Sequence, residues 1–372
     1  MSKQAAVTFP FGLVSAAVAA LALGQQELRS VPAETTAAVV ADPSWAVPRT
    51  SWGHPSFEGV WSSDDMRSVP RERPRELGTR PTLTAEEFAA RAERDSQQRD
   101  NVVNQQDFSG RGEIGVRTFG YSSQVSDPPD GRTPAMTETA LGRRAPRDRG
   151  TFGPGPFNAI ANDFTLYDRC ITRGILGSVF PVIYGNGLRI VQNPDSVAIS
   201  YEMIHDTRII HLDQRPPLDD GVRQYLGSSR GYWDGDTLVI ETGNLTDETS
   251  IGPNGNGTRH SAAMRITERL TRVDPDMIEY VATVDDPVTY EAPFTIRLML
   301  TTQPQYDIYE YSCHEGNMAV RNALSGERAY ERTVAEARAK GLPIPERIPS
   351  AQNLQLPDDG EPIEFFDINA GE

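Results

Sequence analysis

The chain of 372 residues is poor in cysteine and histidine, with two of the first and five of the second. Two short motifs are missing as well: the sequence contains no HExxH and no CxxC. These absences argue against a helical zinc site and a cysteine-rich zinc or redox site. The stretch LGSSRG, Leu226–Gly231, has the spacing of GxSxG, but its serines are interpreted as part of an ordinary Gly-Ser loop before a hairpin. The stretch GPNGNG at residues 252–257 lacks the Lys-Ser/Thr pair of a P-loop, so nucleotide binding is not indicated.

Positive charge is also scarce. The chain carries 36 Lys and Arg residues against 52 Asp and Glu residues, a formal net charge of -16. Proteins that bind nucleic acid or anionic lipid need a basic surface, so we expect neither partner. An acidic surface favours solubility and is compatible with small neutral or cationic ligands.

The amino terminus resembles an export signal. Lys3 supplies a positive charge, Val7–Leu23 is apolar, and Ala22 and Gly24 place small residues where a signal peptidase would cleave. The alternative is a membrane anchor, but the run is short and only moderately hydrophobic beside the roughly 20 apolar residues that a spanning helix needs. We therefore predict a signal peptide over residues 1–24, no stable membrane insertion after its cleavage, and a periplasmic or secreted protein.

Export makes the two cysteines informative. An oxidising compartment would allow Cys170 and Cys313, the one possible pair, to form a disulfide. On the chain-entropy model, closing a loop of this length would stabilise the fold by roughly 4–5 kcal/mol. The alternative is a pair of buried free thiols.

Residues 25–150 have little apolar periodicity and predict an extended polar arm with one helix. That helix is predicted over Thr84–Arg99, with Thr84 as its N-cap and Glu87 completing a capping box. The compact apolar piece FEGVW, Phe57–Trp61, could add an edge strand.

Residues 151–345 are predicted to form one β domain with a terminal helix. From about Phe164 the side chains alternate between apolar and polar with period two, which predicts about nine strands between Leu188 and Ser312. Hairpins are predicted at Asp234-Gly235 and between residues 264–273 and 277–285. A long antiparallel series avoids exposed edges by curling up, so the sequence predicts a mainly β fold: a lipocalin-like antiparallel barrel or a related β-sandwich. A helix from about Met318 to Lys340 follows, with Asn317 as its N-cap, and residues 346–372 form an acidic tail.

Two strands place the candidate site residues. In SVAISYEMIH, predicted as one strand over Ser196–His205, alternation puts His205 on the apolar face with Tyr201 and Met203. In IYEYSCHE, the tyrosines and Cys313 share a core-like face, whereas Glu310 and His314 lie on the other. The interpretation is that only these last two of that motif could take part in chemistry.

A histidine beside a carboxylate can act as a general base. We predict His205 and Asp206 as a proton-transfer pair and His314 with Glu310 as a second group. Arg208 or Tyr201 would stabilise developing negative charge. Met203, His211 and Trp233, together with Tyr201, are predicted to bind substrate. The expected activity is that of a lyase, isomerase or cyclase that needs no cofactor or metal and acts on a small apolar or aromatic molecule.

Three alternatives remain open. The first is a non-catalytic binding protein for a hydrophobic ligand, and the second is an interaction protein of the cell envelope. The third is a zinc or iron centre formed by His205, His211 and His314, for which no sequence motif is present.

Seven phrases of the sequence occur together: FEGVW, DPPDGRTP, YDRC, EMIHDTRIIHLD, GSSRGYWDGDTLVIETGNLTD, ERLTRVDPDMIEYVATVDDPVTY and YEYSCHEGN. In this combination they resemble a large family of exported bacterial proteins, over the range Phe57 to Leu324. The resemblance implies export and a shared β-rich fold. It implies no reaction, and no catalytic residue is carried over from it.

Overall fold

The structure is a computed structural model that describes residues 35–36, 45–104, 115–143, 155–213, 215–216, 218–302 and 306–346. The predicted signal peptide and nearly all of the acidic tail lie outside the described residues. Within these ranges, no helix is both long enough and apolar enough to cross a membrane.

The described part of the chain is built mainly from strands, with few helices. The strands are β1 (Thr35–Thr36), β2 (Gly59–Ser62), β3 (Thr118–Phe119), β4 (Val125–Asp127), β5 (Gly187–Asn193), β6 (Ser196–Tyr201), β7 (Thr207–His211), β8 (Ser228–Asp234), β9 (Thr237–Gly243), β10 (Ser250–Ile251), β11 (Thr258–Arg259), β12 (Arg265–Asp274), β13 (Met277–Asp285) and β14 (Phe294–Thr301). The helices are α1 (Ala85–Asn104), α2 (Glu138–Gly142), α3 (Ile160–Asp163) and α4 (Ala319–Ala339).

Nine of the strands close into a barrel. Their order around the wall is β13-β12-β9-β8-β7-β6-β5-β2-β14, and β14 pairs with β13 to complete the ring. The predicted mainly β barrel is therefore confirmed. Every neighbouring pair in the ring is antiparallel except β7 and β8, which are parallel and make the barrel mixed.

Alternation of side chains produces the barrel core. Apolar residues at every second position of the long strands face inward and are buried, as at Ile266 and Leu270 of β12 and Tyr280 and Ala282 of β13. The intervening positions face outward, which is the pattern expected for a sheet with one buried face. The interior is thus filled by side chains rather than left as a channel.

Both predicted hairpins are present. Strands β12 and β13 are joined by the two-residue turn Pro275-Asp276, since Asp274 lies opposite Met277. Strands β8 and β9 are joined by Gly235 and Asp236, one position later than predicted, because Asp234 and Thr237 are still paired. Gly235 adopts a φ of 62°, a left-handed conformation that favours glycine.

The FEGVW piece is not an edge strand as predicted. Strand β2 lies between β5 and β14, and Trp61 is buried in the barrel core. Its indole Nε1–H donates to the carbonyl of Phe57 at 2.8 Å. The region predicted as an arm therefore contributes one strand to the barrel wall. Its partners β5 and β14 are far away in the sequence, so the residues around β2 do not predict this pairing.

The predicted helices form close to their expected limits. Helix α1 begins with a capping box, in which the Glu87 amide donates to the Thr84 hydroxyl and the Thr84 amide donates to the Glu87 carboxylate. Helix α4 ends before Gly341, whose φ is 66°. Asn317 lies one residue before the helix cap, and its side chain accepts a hydrogen bond from the amide of Ala319.

Cys170 and Cys313 form the predicted disulfide, with an S–S distance of 2.03 Å. The segment around Cys313 is not the strand that alternation predicted, because residues 306–312 pair with no other strand. Tyr309 is 67% exposed rather than in the core. The carboxylate of Glu202 holds this segment instead, by accepting from the Tyr306 hydroxyl and the Tyr309 amide.

Candidate functional site

The parallel pairing of β7 and β8 leaves a seam in the barrel wall. These strands match at only two positions, Ile210 with Ser229 and His211 with Arg230. Parallel neighbours require a long crossover connection, which here runs from Leu212 to Gly227. Between the crossover and β7 lies a cavity of about 500 Å³.

The lining of this seam cavity combines charged and apolar side chains. The acidic and basic members are Asp206, Arg208, His211, Arg215 and Arg230, and the apolar members are Ile209, Pro216, Leu218, Tyr225 and Leu226. The other lining residues are Thr207, Gln224, Gly227, Ser228 and Ser229. The volume lies within the range of small-molecule sites, about 300–1,000 Å³.

A buried ion pair lies behind the seam, inside the barrel. Arg208 faces inward from β7 at 3% side-chain exposure and contacts Glu268 of β12, which is fully buried. The contact is bidentate, with Nη1 to Oε2 at 2.5 Å and Nη2 to Oε1 at 2.8 Å. The hydroxyl of Tyr280 donates to Glu268 Oε1 at 2.9 Å. Burial alone would lower the pKa of Arg208, but the charge of Glu268 raises it, so the guanidinium stays charged.

Two polar atoms of this cluster have no hydrogen-bond partner among the described residues: Nε of Arg208 and the hydroxyl of Tyr201. Burial raises the pKa of Tyr201 to about 12, although the nearby charge of Arg208 acts in the opposite direction. The phenol therefore stays protonated at neutral pH and can serve as a hydrogen-bond donor. Neighbouring Ser229 and Thr242 satisfy each other, with their hydroxyl oxygens 2.8 Å apart.

Asp206 lies at the start of β7 and is the carboxylate of the cavity lining. Its Oδ2 accepts a hydrogen bond from the hydroxyl of Thr172. Burial raises the pKa of Asp206, and the Thr172 hydrogen bond and the charge of Arg208 offset this only in part. The aspartate is thus the lining residue whose proton affinity is shifted toward the neutral range.

The outer part of the cavity carries His211, Arg215 and Arg230. Asp213 accepts from Nε of Arg215 at 2.9 Å, and Nη1 of Arg215 lies 3.5 Å from Nε2 of His211. Arg230 lies beside His211 in the parallel register of β7 and β8. The described residues provide no hydrogen bond or ion pair to its side chain.

The prediction that His205 shares the apolar face is wrong. Strand β6 ends at Tyr201, where its amide donates to the carbonyl of Asp206 and the chain reverses into β7. His205 lies in the resulting turn with a φ of 59°, exposed to solvent. The period-two rule fails there because alternation holds only while the chain stays extended. His205 and Asp206 remain adjacent, but Asp206 lines the cavity and His205 does not.

The structure brings three of the predicted site residues to the cavity lining: Asp206, Arg208 and His211. Tyr201 lies beside Arg208 inside the barrel. The other predicted site residues lie elsewhere. Met203 is buried in the turn after β6, Trp233 packs against Phe57 with ring centroids 5.6 Å apart, and Glu310 and His314 are exposed on the segment held by the disulfide.

The structure does not support the alternative of a metal centre formed by three histidines. His205, His211 and His314 do not come together. In the part of the chain that the structure describes, no group of three or more His, Cys, Asp or Glu side chains is placed to hold a metal ion.

Sequence reasoning missed several residues of the site: Ser229, Arg230, Glu268 and Tyr280, together with Arg215 at the rim. One signal was available, because Glu268 stands between Ile266 and Leu270 on the inward face of a strand. A carboxylate at such a position requires a buried partner. The stretch LGSSRG was interpreted as an ordinary loop, yet Ser228 begins β8 and the motif supplies one side of the cavity.

No protein-family model matches the chain, and no curated protein matches it. The geometry of the seam cavity therefore carries the functional argument alone.

Proposed function

We propose that the protein binds a small, partly apolar organic molecule in the seam cavity and does so without catalysis. The observation that carries this proposal is the cavity itself, about 500 Å³ in volume and lined by apolar as well as charged side chains. Binding sites for small molecules combine an apolar lining with a few polar groups that orient the ligand.

The chemistry of the lining supports binding over proton transfer. Three of its six titratable residues are arginines, whose guanidinium groups stay protonated in proteins and so cannot exchange protons at neutral pH. Arg208 is further committed to Glu268 by two hydrogen bonds. Such groups hold and orient a ligand.

Export and the family resemblance are part of the same proposal. The Cys170–Cys313 disulfide supports an oxidising compartment, in which such bonds persist. The phrases EMIHDTRIIHLD and GSSRGYWDG, on which the resemblance partly rests, supply most of the two flanks of the cavity. We propose a periplasmic or secreted receptor for a small molecule.

The test uses N-phenyl-1-naphthylamine, a neutral aromatic probe whose fluorescence rises in apolar surroundings. The wild-type chain is expected to bind it saturably. Ile209→Trp fills the cavity and should abolish the signal, whereas Val191→Trp should not. Val191 is the matched control because it is an aliphatic residue on the same outer barrel surface but outside the cavity lining. Its exposure is similar, 52% against 45% for Ile209. Equal binding by both variants would disprove the proposal.

A second candidate function, acid–base catalysis without a cofactor, is favoured by one observation. Asp206 lines the cavity, and burial raises its pKa toward the range useful for a general base. A ligand recovered chemically unaltered after prolonged incubation would support binding alone. Conversion that is lost in Asp206→Asn, with probe binding retained, would support catalysis.

A further inference from the structure

The lining of the seam cavity is rich in arginine, although the protein as a whole is acidic. The chain as a whole carries a formal net charge of -16. The cavity lining nevertheless contains three arginines and a histidine against one carboxylate, that of Asp206. A cationic side chain in a concave site attracts ligands of the opposite charge, provided that no carboxylate of the protein already pairs with it.

Two of the three arginines already have carboxylate partners. Arg208 is paired with Glu268 inside the barrel, and Arg215 is paired with Asp213 at the rim. Arg230 is the exception among the lining arginines. Glu241 stands directly opposite it across β8 and β9, yet the two side chains form no ion pair in the described part of the chain.

Arg230 is also the arginine best placed to meet a ligand. It is half-buried and lies on the seam next to His211. The ring of His211 in turn lies 3.5 Å from Arg215. Arg230, His211 and Arg215 therefore follow one another along the cavity, and Arg230 is the one of its arginines that forms no ion pair with a carboxylate of the described residues.

We infer that the cavity takes an organic acid whose anionic head group binds Arg230. This inference rests on the binding function proposed above and names its ligand class. The planar guanidinium presents two parallel N–H groups to a carboxylate or sulfonate, a geometry that a neutral ligand cannot use fully. His211 can add a further hydrogen bond from its neighbouring position.

The apolar part of the acid has a matching surface. Ile209, Leu218 and Tyr225 line the cavity and are large apolar side chains left 45%, 39% and 36% exposed. Exposed apolar side chains gathered at a cleft with polar groups mark ligand sites. The ligand class is thus an amphipathic acid with an aromatic or aliphatic tail.

The test compares ligands that differ only in the head group. 4-Phenylbutyrate, 4-phenylbutyramide and 4-phenylbutane-1-sulfonate compete with the neutral probe for the wild-type chain. We expect the two acids to bind about 10-fold more tightly than the amide, because a hydrogen bond to a charged group contributes more than a neutral one. Which acid binds more tightly separates carboxylate from sulfonate ligands.

Arg230→Met should weaken both acids about 10-fold or more and leave the amide unchanged, while Arg230→Lys should restore part of the loss. Arg265→Met is the matched control, because Arg265 is an exposed arginine outside the cavity. Equal binding of acids and amide, or equal effects of the two Met variants, would overturn the inference but leave the binding function standing. If neither the probe nor the acids bind, both proposals fail.

Discussion

The barrel wall has two contrasting regions, the β12–β13 hairpin and the β7–β8 seam. The hairpin is paired in antiparallel register from Arg265 opposite Asp285 to Asp274 opposite Met277. The seam is paired at two positions only, and in parallel. Backbone hydrogen bonds therefore close the wall along the whole hairpin. At the seam they are few, and side-chain contacts must add to them.

The Arg208–Glu268 pair connects these two regions through the barrel interior. Arg208 belongs to β7 at the seam, Glu268 belongs to β12 in the hairpin, and Tyr280 of β13 holds Glu268. Because both side chains are buried, the pair acts as a tether between the seam strand and the β12–β13 hairpin. The Arg208–Glu268 ion pair thus holds β7 in a part of the wall where backbone pairing with β8 is limited to two positions.

The largest expected effect comes from breaking this tether. Glu268→Gln leaves the Arg208 charge buried without a counter-charge and should lower the free energy of unfolding by about 3–5 kcal/mol. The measurement is equilibrium denaturation in urea. The double variant Arg208→Met/Glu268→Leu should recover most of the loss, since apolar side chains can replace a buried pair. A loss below about 1 kcal/mol in the single variant would contradict the tether.

A second effect should follow from removing the disulfide. Thr172, two residues after Cys170, donates to Asp206 at the start of β7, so the disulfide supports the seam from outside. Cys170→Ser/Cys313→Ser should cost about 2–5 kcal/mol. Hydrogen exchange should then accelerate more at β7 than at β12 or β13. Uniform acceleration across the barrel would show that the seam receives no special support.

A third prediction tests how closely β7 and β8 pack against each other near their two paired positions. A Cβ on Gly231 of β8 would lie 2.8 Å from Cγ2 of Ile210 and 3.1 Å from the carbonyl oxygen of Val239. Gly231→Ala should therefore destabilise the fold by about 1–3 kcal/mol through overpacking. Gly326→Ala on helix α4, where a Cβ meets nothing within 4 Å, is the control and should be neutral or slightly stabilising. A neutral Gly231→Ala would mean that the strands can separate without cost.

The smallest effect concerns pH. Burial raises the pKa of Asp206 in the folded chain above its ordinary value of 3.8. The folded state therefore binds this proton more readily than the unfolded chain, and stability falls as pH rises from about 4 through the raised pKa. Asp206→Asn should remove that part of the slope in a series of denaturation curves from acidic to neutral pH. Superimposable slopes would show that Asp206 titrates normally.

Much of the hairpin side of the molecule was predictable from the sequence, and the reason is local. Alternation and turn residues determine β12, β13 and their connection, and Thr84 with Glu87 determines the start of α1. The disulfide was predictable because only one cysteine pair exists. Each of these features depends on residues that are close in sequence or unique in type.

The seam was not predictable for the opposite reason. Arg208 and Glu268 are 60 positions apart, and no residue near Glu268 in the sequence indicates which side chain pairs with it. Parallel pairing of β7 with β8 depends on how the crossover packs, which alternation does not encode. His205 was misplaced because the chain leaves the extended conformation after Tyr201, and the sequence there still alternates.

The position of β2 in the wall sets the order in which the barrel can form. The hydroxyl of Thr301 in β14 donates to Asp65, just after β2, across 236 positions of the chain. Until β14 has been made, β2 lacks its second neighbour in the ring, and the ring stays open. Contacts so distant in sequence slow folding. In a chain exported as proposed, the ring would therefore close only after β14, its last strand, has followed the others across the membrane.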